Sequence, residues 1–401
     1  MKFVDEERGY SMKTDMSNHR WAKQNPDLDT APIPIEPCCS EDYYQLERER
    51  IFKRSYLIVG RVEDVPKPGG FFVHDLPVAE TSLLVVRGKD DKIRAFHNMC
   101  SHRGNRLVWE EQGSCRGYFT CKFHSWAYDT AGSLRIVTDE ENFFDLRKDE
   151  LGLTAITCKI WEGFIFVNLD PQPKQTLGEY LDGVTGHLKG YPFDRMQLAY
   201  GYTIEEKVNW KVLMDAQNES YHLPYLHEAT FPDYFALNDK KSLRTLAFKR
   251  FGRHSVYSTE ANPDRKATAA EKCAISMDTS IVEGEPTMIG VFDFHVIFPN
   301  SVIAFLGNWY FHYRLWPLAM DRTRWEIRVY FRPPQNAGQL LAREYMKNKL
   351  RDALLEDACT HEKIQSMLKS GAKKFFMMQD DEAQIRFFHK MVDEHVRAAE
   401  R

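Results

Sequence analysis

The sequence lacks an excess of charge of either sign. Lys and Arg number 54, Asp and Glu 58, and the formal net charge is −4. A nucleic-acid-binding chain needs a basic patch or a high pI, so nucleic acid is excluded as a partner. Long apolar runs are also missing. Stretches such as Phe164-Ile165-Phe166-Val167 are strand-sized, whereas a bilayer span needs about 18 apolar residues. Residues 1–41 are polar, without the apolar core and small-residue cleavage site of a signal peptide. A soluble, cytoplasmic protein with no membrane partner is expected. No Gly-rich dinucleotide fingerprint follows a strand. Eight Cys in 401 residues are too few for a disulfide scaffold, and in a reducing compartment Cys near His more often binds metal. Internal repeats and low-complexity segments are absent.

What is present is a core-forming composition, 43% apolar, in a chain long enough for two domains. Residues 1–41 read as a loose arm and Asp42 to Lys53 as a short helix. From Ser55 to Asp170, short apolar runs such as Tyr56-Leu57-Ile58-Val59 and Leu83-Leu84-Val85-Val86 alternate with turns, as in an all-β domain. Lys89-Asp90-Asp91-Lys92 and Asp129-Thr130-Ala131-Gly132 read as hairpin turns. Pro171 to Pro173 suggest a linker. Beyond it, Leu198 to Lys207 reads as a strand, and a helix begins near Trp210. Phe292, Phe294, Val296 and Phe298, and later Trp325, Ile327, Val329 and Phe331, recur with period two. That period marks strands with one buried face. Ala337 to Arg401 reads as helix. The second half is thus a sheet with late helices, and the fold class is α+β.

Two constellations carry chemistry. Cys100-Ser101-His102 and Cys121-Lys122-Phe123-His124 each offer one Cys and one His, eighteen residues apart. Two thiolates and two imidazoles can hold a tetrahedral Zn²⁺ or a [2Fe–2S] cluster. The mixed pairing suits two β-hairpin tips reaching around two irons. Phe119, Phe123, Trp126 and Tyr128 crowd the site, and Trp126 is placed to shield it. Cys115 and His97 lie outside the pattern. Cys38, Cys39, Cys158 and Cys273 have no His at ligand spacing and read as structural.

The second constellation is Asp215, Glu219, His222 and His227. The first three are spaced by four and three, which puts them on one face of a helix. Pro224 should break that helix and turn His227 back towards His222. Two His and one carboxylate form the facial triad of non-haem iron oxygenases. The carboxylate must come from elsewhere. Asp357 interrupts an apolar stripe formed by Met346, Leu350, Leu354, Ile364 and Leu368, and a buried carboxylate is costly unless paired or metal-bound. His361, on the same stripe, is a weaker candidate.

With Arg103-Gly104, the first constellation resembles the Rieske signature. Together with Asn209-Trp210-Lys211, Phe298-Pro299-Asn300, Glu356-Asp357 and Glu362, the two resemble the α subunit of Rieske non-haem iron oxygenases, the aromatic-ring-hydroxylating family. The resemblance runs from about residue 40 to 370. It implies an arm and helix over 1–54 packing on the catalytic domain, a Rieske domain over 55–170, and a catalytic domain over 171–401. The catalytic domain would be an antiparallel sheet covered by helices, of helix-grip type. The cofactors implied are a [2Fe–2S] cluster on Cys100, His102, Cys121 and His124, and mononuclear Fe(II) on His222, His227 and Asp357. Glu219 maps onto an acid that links a cluster His of one subunit to an iron His of the next. That implies a homotrimer, or a trimer of trimers with or without a β subunit. Asp215 stands where Asn is usual near the iron. The partners implied are O₂, a small organic substrate and a reductase or ferredoxin. The aromatic-rich second half suggests an aromatic or alicyclic substrate, and aromatics can equally cage a quaternary ammonium, as in the demethylating monooxygenases. Residues 228–290 are expected to carry pocket and lid. Two rival readings remain, a Rieske electron carrier without substrate chemistry and a zinc-stabilised structural protein.

Overall fold

A computed structural model describes residues 20–232, 245–260, 262, 266–277, 288–307 and 309–398. The chain divides into two compact units. One is Arg48–Tyr180, and the other joins the described residues up to Glu47 with Leu181–Arg401.

The regular structure of the first unit is mainly strand. A seven-stranded antiparallel sheet is built from β1 (Leu57–Arg61), β2 (Gly70–Leu76), β3 (Thr81–Arg87), β4 (Ile93–His97), β5 (Gln112–Ser114), β9 (Ala155–Trp161) and β10 (Phe164–Asn168). Its order is β1-β10-β9-β4-β3-β2-β5. A three-stranded sheet holds β6 (Tyr118–Thr120), β7 (Ala127–Asp129) and β8 (Leu134–Ile136). Leu83 to Val86 form the middle of β3 and are wholly buried, which is why that strand reads as a continuous apolar run. Both turns read from the sequence are present. Asp91 takes a left-handed φ of 65° between β3 and β4, and Gly132 one of 89° between β7 and β8. The Asp129 carboxylate accepts the Ala131 and Ser133 amides in the second turn.

The second unit is a seven-stranded antiparallel sheet with helices. Its strands are β11 (Gln197–Glu206), β12 (Ala247–Phe251), β13 (His254–Glu260), β14 (Met288–Ile297), β15 (Ser301–Gly307), β16 (Trp309–Ala319) and β17 (Arg322–Phe331). Their order is β11-β17-β16-β15-β14-β13-β12. Period two holds on β17, where Trp325, Ile327 and Val329 are fully buried and Arg324, Glu326 and Arg328 are not. On β14 the opposite face is buried too. Asp293 accepts from the Ser258 hydroxyl, and His295 lies 5.1 Å from the His187 ring. The segment 184–193 covers that side, so the alternation there separates two interiors rather than core from solvent.

Four helices matter to the site: α1 (Trp210–Ala216), α2 (Leu223–Leu226), α3 (Ala337–Leu368) and α4 (Ala383–Arg397). The single C-terminal helix expected from Ala337 to Arg401 is two helices. α3 stops at Leu368, and Gly371 turns the chain with a left-handed φ of 67°. The helix expected over Asp42 to Lys53 is α-helical at Glu41–Glu47 and then widens into a π turn at Arg48–Phe52.

Helix α1 is tied to the N-terminal helix by a buried ion pair. Lys211 Nζ lies 2.6 Å from Glu47 Oε1, both side chains are fully buried, and Trp210 Nε1 donates to Glu47 Oε2 at 2.9 Å. Removing one partner strands the other charge in the core. Lys211→Met should cost about 3–5 kcal/mol in chemical denaturation, and adding Glu47→Leu should recover more than half of it. An undiminished unfolding midpoint for Lys211→Met would contradict this.

Candidate metal centres

The first unit builds its site on two chain reversals. Cys100 to His102 follow β4, and Cys121 to His124 form the tip of the β6–β7 hairpin. Both turns close alike. The Gly104 amide donates to the Cys100 carbonyl at 3.0 Å, and the Ser125 amide to the Cys121 carbonyl at 2.9 Å. Gly104 (φ 74°) and Ser125 (φ 59°) both take left-handed backbone. Gly is at ease there and Ser is not, so the sequence signals the first turn but not the second.

The turns bring His102 Nδ1 within 3.1 Å of His124 Nδ1. Both thiols are buried and receive polar contacts, Cys100 Sγ from the Tyr128 hydroxyl at 3.3 Å and Cys121 Sγ from Asn105 Nδ2 at 3.5 Å. Trp126 stacks on His102 with centroids 4.8 Å apart and planes at 13°, the shielding position expected of it. Phe123 lies against His124 but is more than half exposed, so it covers little. His97 is engaged elsewhere, with the Thr81 hydroxyl 2.9 Å from its Nδ1. Two converging imidazole nitrogens beside two buried thiols fit a two-iron cluster with mixed ligation.

The second site departs from its expected local structure. Asp215, Glu219 and His222 do not share a helix face, because α1 ends at Ala216. The Glu219 carboxylate accepts the Tyr221 and His222 amides, and such side-chain bonding competes with helix. Pro224 does not break a helix either. It stands in the first turn of α2, where the missing N–H is no loss. His222 enters that single turn and His227 leaves it, so their rings meet with centroids 5.2 Å apart.

Asp357 arrives from α3. Its Oδ1 lies 3.5 Å from His222 Nε2 and 3.3 Å from His227 Nε2. One ligand atom from each of the three residues falls within 4.8 Å of the others. Each ring is held from behind by a carboxylate, as metal-ligating His usually is. His222 Nδ1 bonds to Glu219 Oε1, and His227 Nδ1 to Glu356 Oε2 at 2.7 Å. Glu356 is itself fixed by the Thr230 hydroxyl at 2.7 Å. These bonds leave both Nε2 atoms facing Asp357, whose Oδ1 is buried without a hydrogen-bond partner. An orphaned buried carboxylate oxygen between two imidazole nitrogens is what a divalent metal would satisfy.

The charges agree. Burial pushes Asp357 up, but the His227, His222 and His361 rings more than reverse this and hold it below the ordinary carboxylate value. Burial alone would lower His222; the Glu219 carboxylate and Asp357 outweigh it and lift the ring to about 9. Without metal that ring keeps a proton at neutral pH, which a metal must displace.

Asp215 is not brought to this group. It pairs with His389 Nε2 at 2.9 Å. Gln217 takes the nearby place, donating to Asp357 Oδ2 at 3.2 Å. Gln217, Glu356 and Thr230 were not singled out from the sequence as functional. The adjacency Glu356-Asp357, with Glu356 one position off the ligand, is the only hint the sequence offers. The apolar stripe on α3 also ends early. Ile364 is exposed, and the buried line continues instead through His361 and Gln365.

Above these three residues opens a cavity lined mainly by aromatic and apolar side chains, as small-molecule sites usually are. Its wall is the concave face of the sheet. Tyr257, Phe294, Trp309, Phe311 and Tyr313 face it at alternate positions, with Met346, Leu350 and Leu354 of α3 opposite. The alternate residues Phe305 and Tyr310 pack on the other face, against Tyr191 and Phe193. No Lys or Arg is found among the described lining residues. Of 228–290, the stretch expected to carry pocket and lid, Phe231, Tyr257 and Thr259 line the cavity; 233–244, 261, 263–265 and 278–287 lie outside the described residues.

A model of the ring hydroxylating α subunit catalytic domain matches residues 193–398, just over half the chain. The chain belongs to that family. A Rieske [2Fe–2S] domain model matches residues 55–148, so the family's two cofactors, a Rieske cluster and a mononuclear iron, go with this chain. Among curated relatives, the glycine betaine monooxygenase oxygenase subunit of Pseudomonas aeruginosa is 31% identical over 191 residues, 47% of this chain and 43% of the relative. The benzene 1,2-dioxygenase α subunit of Pseudomonas putida is 41% identical over 131 residues, 32% of this chain and 28% of the relative. The matched regions thus span less than half of these relatives. Among solved structures, a quaternary ammonium Rieske monooxygenase in complex with an inhibitor has a TM-score of 0.77 at 21% identity, covering 92% of this chain and 97% of that one. Naphthalene 1,2-dioxygenase from Rhodococcus sp. bound to indole has a TM-score of 0.73 at 21% identity, covering 91% and 94%. At these identities the structures establish the fold. No helix among the described residues is long and apolar enough to cross a membrane.

The carboxylate behind His227 gives a direct test. Glu356→Ala should lower Fe(II) affinity of metal-depleted protein by about 10–100-fold and leave the cluster's visible absorption unchanged. An affinity equal to that of the wild type would show that Glu356 does not orient the ring.

Proposed function

We propose that this chain is the terminal oxygenase of a Rieske system, acting in the cytoplasm on an apolar aromatic or alicyclic substrate. The observation that carries the reading is the convergence of His222 Nε2, His227 Nε2 and Asp357 Oδ1 at the floor of an aromatic cavity. In this reading those three residues hold Fe(II), and Cys100, His102, Cys121 and His124 hold the cluster. When bound, the iron supplies the O₂ chemistry and the cluster supplies electrons one at a time, drawn from a separate NAD(P)H-dependent reductase or ferredoxin.

The protein's own work is positional. Glu356 and Glu219 keep a proton on each Nδ1, so that each Nε2 stays free as a ligand. The aromatic wall excludes water and presents a flat apolar surface to a ring. Glu219 has a second role in this reading. Its carboxylate, bonded to His222, also meets His102 or His124 of a neighbouring subunit, which makes the working unit a homotrimer.

A neutral substrate is favoured because the described lining offers no cationic side chain to pair a carboxylate. One observation favours a second reading. Aromatic faces beside the Glu219 and Asp357 carboxylates suit a quaternary ammonium, and the glycine betaine and carnitine monooxygenase subunits are among the relatives. Oxygen uptake with a surrogate reductase separates the two. Naphthalene or indole should stimulate uptake and glycine betaine should not; the reverse pattern would replace the first reading by the second. Glu219→Gln should keep both metals and lower coupled turnover by at least about tenfold. Full turnover in that variant would remove the proposed bridge.

A further inference from the structure

The two halves of the metal site reach it by separate routes that share one junction. Strand β11 ends at Glu206, and Asn209 then caps α1, its side chain accepting the Lys211 amide at 3.0 Å. The chain beyond α1 delivers Glu219, His222 and His227. Asp357 comes in on α3, a 32-residue helix. One residue of slip along a helix axis is about 1.5 Å. That is enough to pull Asp357 Oδ1 away from nitrogens only 3.3 and 3.5 Å distant. Something must fix the axial position of α3 against the junction.

Three side chains of α3, in the two turns after Asp357, make contact there in order. His361 Nδ1 lies 2.9 Å from Glu206 Oε2. Glu362 Oε1 accepts the Lys207 amide at 2.9 Å, and Gln365 Oε1 accepts the Asn209 amide at 2.9 Å. His361, Gln365 and Glu206 are 0%, 1% and 3% exposed, so polar groups occupy the line where the apolar stripe should have continued. This is a poor arrangement for stability alone. Glu206 Oε1 and His361 Nε2 are buried without a hydrogen-bond partner, and a buried ionisable pair rarely outperforms an apolar pair of the same shape. What it supplies is direction: apolar surfaces tolerate slip, whereas a hydrogen bond between two buried groups holds one register.

We propose that the His361–Glu206 pair, helped by Glu362 and Gln365, is a register lock that places Asp357 opposite His222 and His227. These are positioning residues, and the inference rests on reading those three ligands as an iron site. The side chain that interrupts the apolar stripe after Asp357 thereby gains a purpose that ligation does not give it.

The test is anaerobic titration with Fe(II) of metal-depleted protein that keeps its cluster. His361→Leu fills the space and removes the donor. It should bind Fe(II) at least about tenfold more weakly, with the cluster spectrum and thermal midpoint of the wild type. His361→Asn puts an amide nitrogen where the imidazole Nδ1 stands, and should recover most of the affinity. Wild-type affinity in His361→Leu overturns the proposal. Equal losses in both variants overturn it too, because the hydrogen bond would then not be what matters. If His361→Leu does not fold, Glu362→Ala carries the test: its side chain is exposed, and a smaller loss of affinity is expected, with no loss contradicting the lock. A wild type that binds no Fe(II) removes the iron reading itself, and the lock falls with it.

Discussion

A carboxylate buried between two imidazoles is the constraint on which the catalytic unit turns. Asp357 is 3% exposed, and a lone ionised group at that depth costs several kcal/mol. The His222 and His227 rings offset that cost only if they stay within reach, and they come from a different part of the chain. The surrounding structure reads as answers to that demand. Glu219 and Glu356 hold the rings from behind, the single turn of α2 pairs them, and the junction at 206–209 ties α3 to the segment that carries them. The cavity above is lined mainly by aromatic and apolar side chains.

The two metal sites solve the same problem differently. In the Rieske unit, the four candidate ligands come from two short turns, each closed by its own backbone hydrogen bond, so local geometry does most of the positioning. In the catalytic unit, the three candidate ligands come from segments 130 residues apart in sequence (His227 to Asp357). Local geometry cannot set that distance, and buried polar contacts between α3 and the strand junction take its place. Second carboxylates also crowd the catalytic ligands, whereas the cluster ligands are surrounded by Trp126, Tyr128 and Phe119.

Much of this was legible in the sequence because the informative signals are short-range. The Cys/His pairs, the hairpin turns with their Asp and Gly, and the period-two runs on β14 and β17 all act over a few residues. The errors arose where a short-range rule met a long-range partner. Spacing by four and three placed Asp215, Glu219 and His222 on one helix, but Glu219 bonds to the backbone ahead of it and ends that possibility. Pro224 reads locally as a helix breaker, yet it opens α2. The stripe on α3 was extended through Ile364, whereas strand-end amides at 207 and 209 select Glu362 and Gln365 for the contact. Gln217, Glu356 and Thr230 carry no spacing signal, because their partners are distant in sequence.

The central claim is that one chain holds two chemically distinct iron sites, and metal analysis of the purified protein addresses it most directly. Two such sites require about three irons and two acid-labile sulfides per chain. A chelator should strip one iron and leave the visible spectrum of the other two intact. Zinc in place of iron with no labile sulfide, or loss of all iron together with that spectrum, would contradict it.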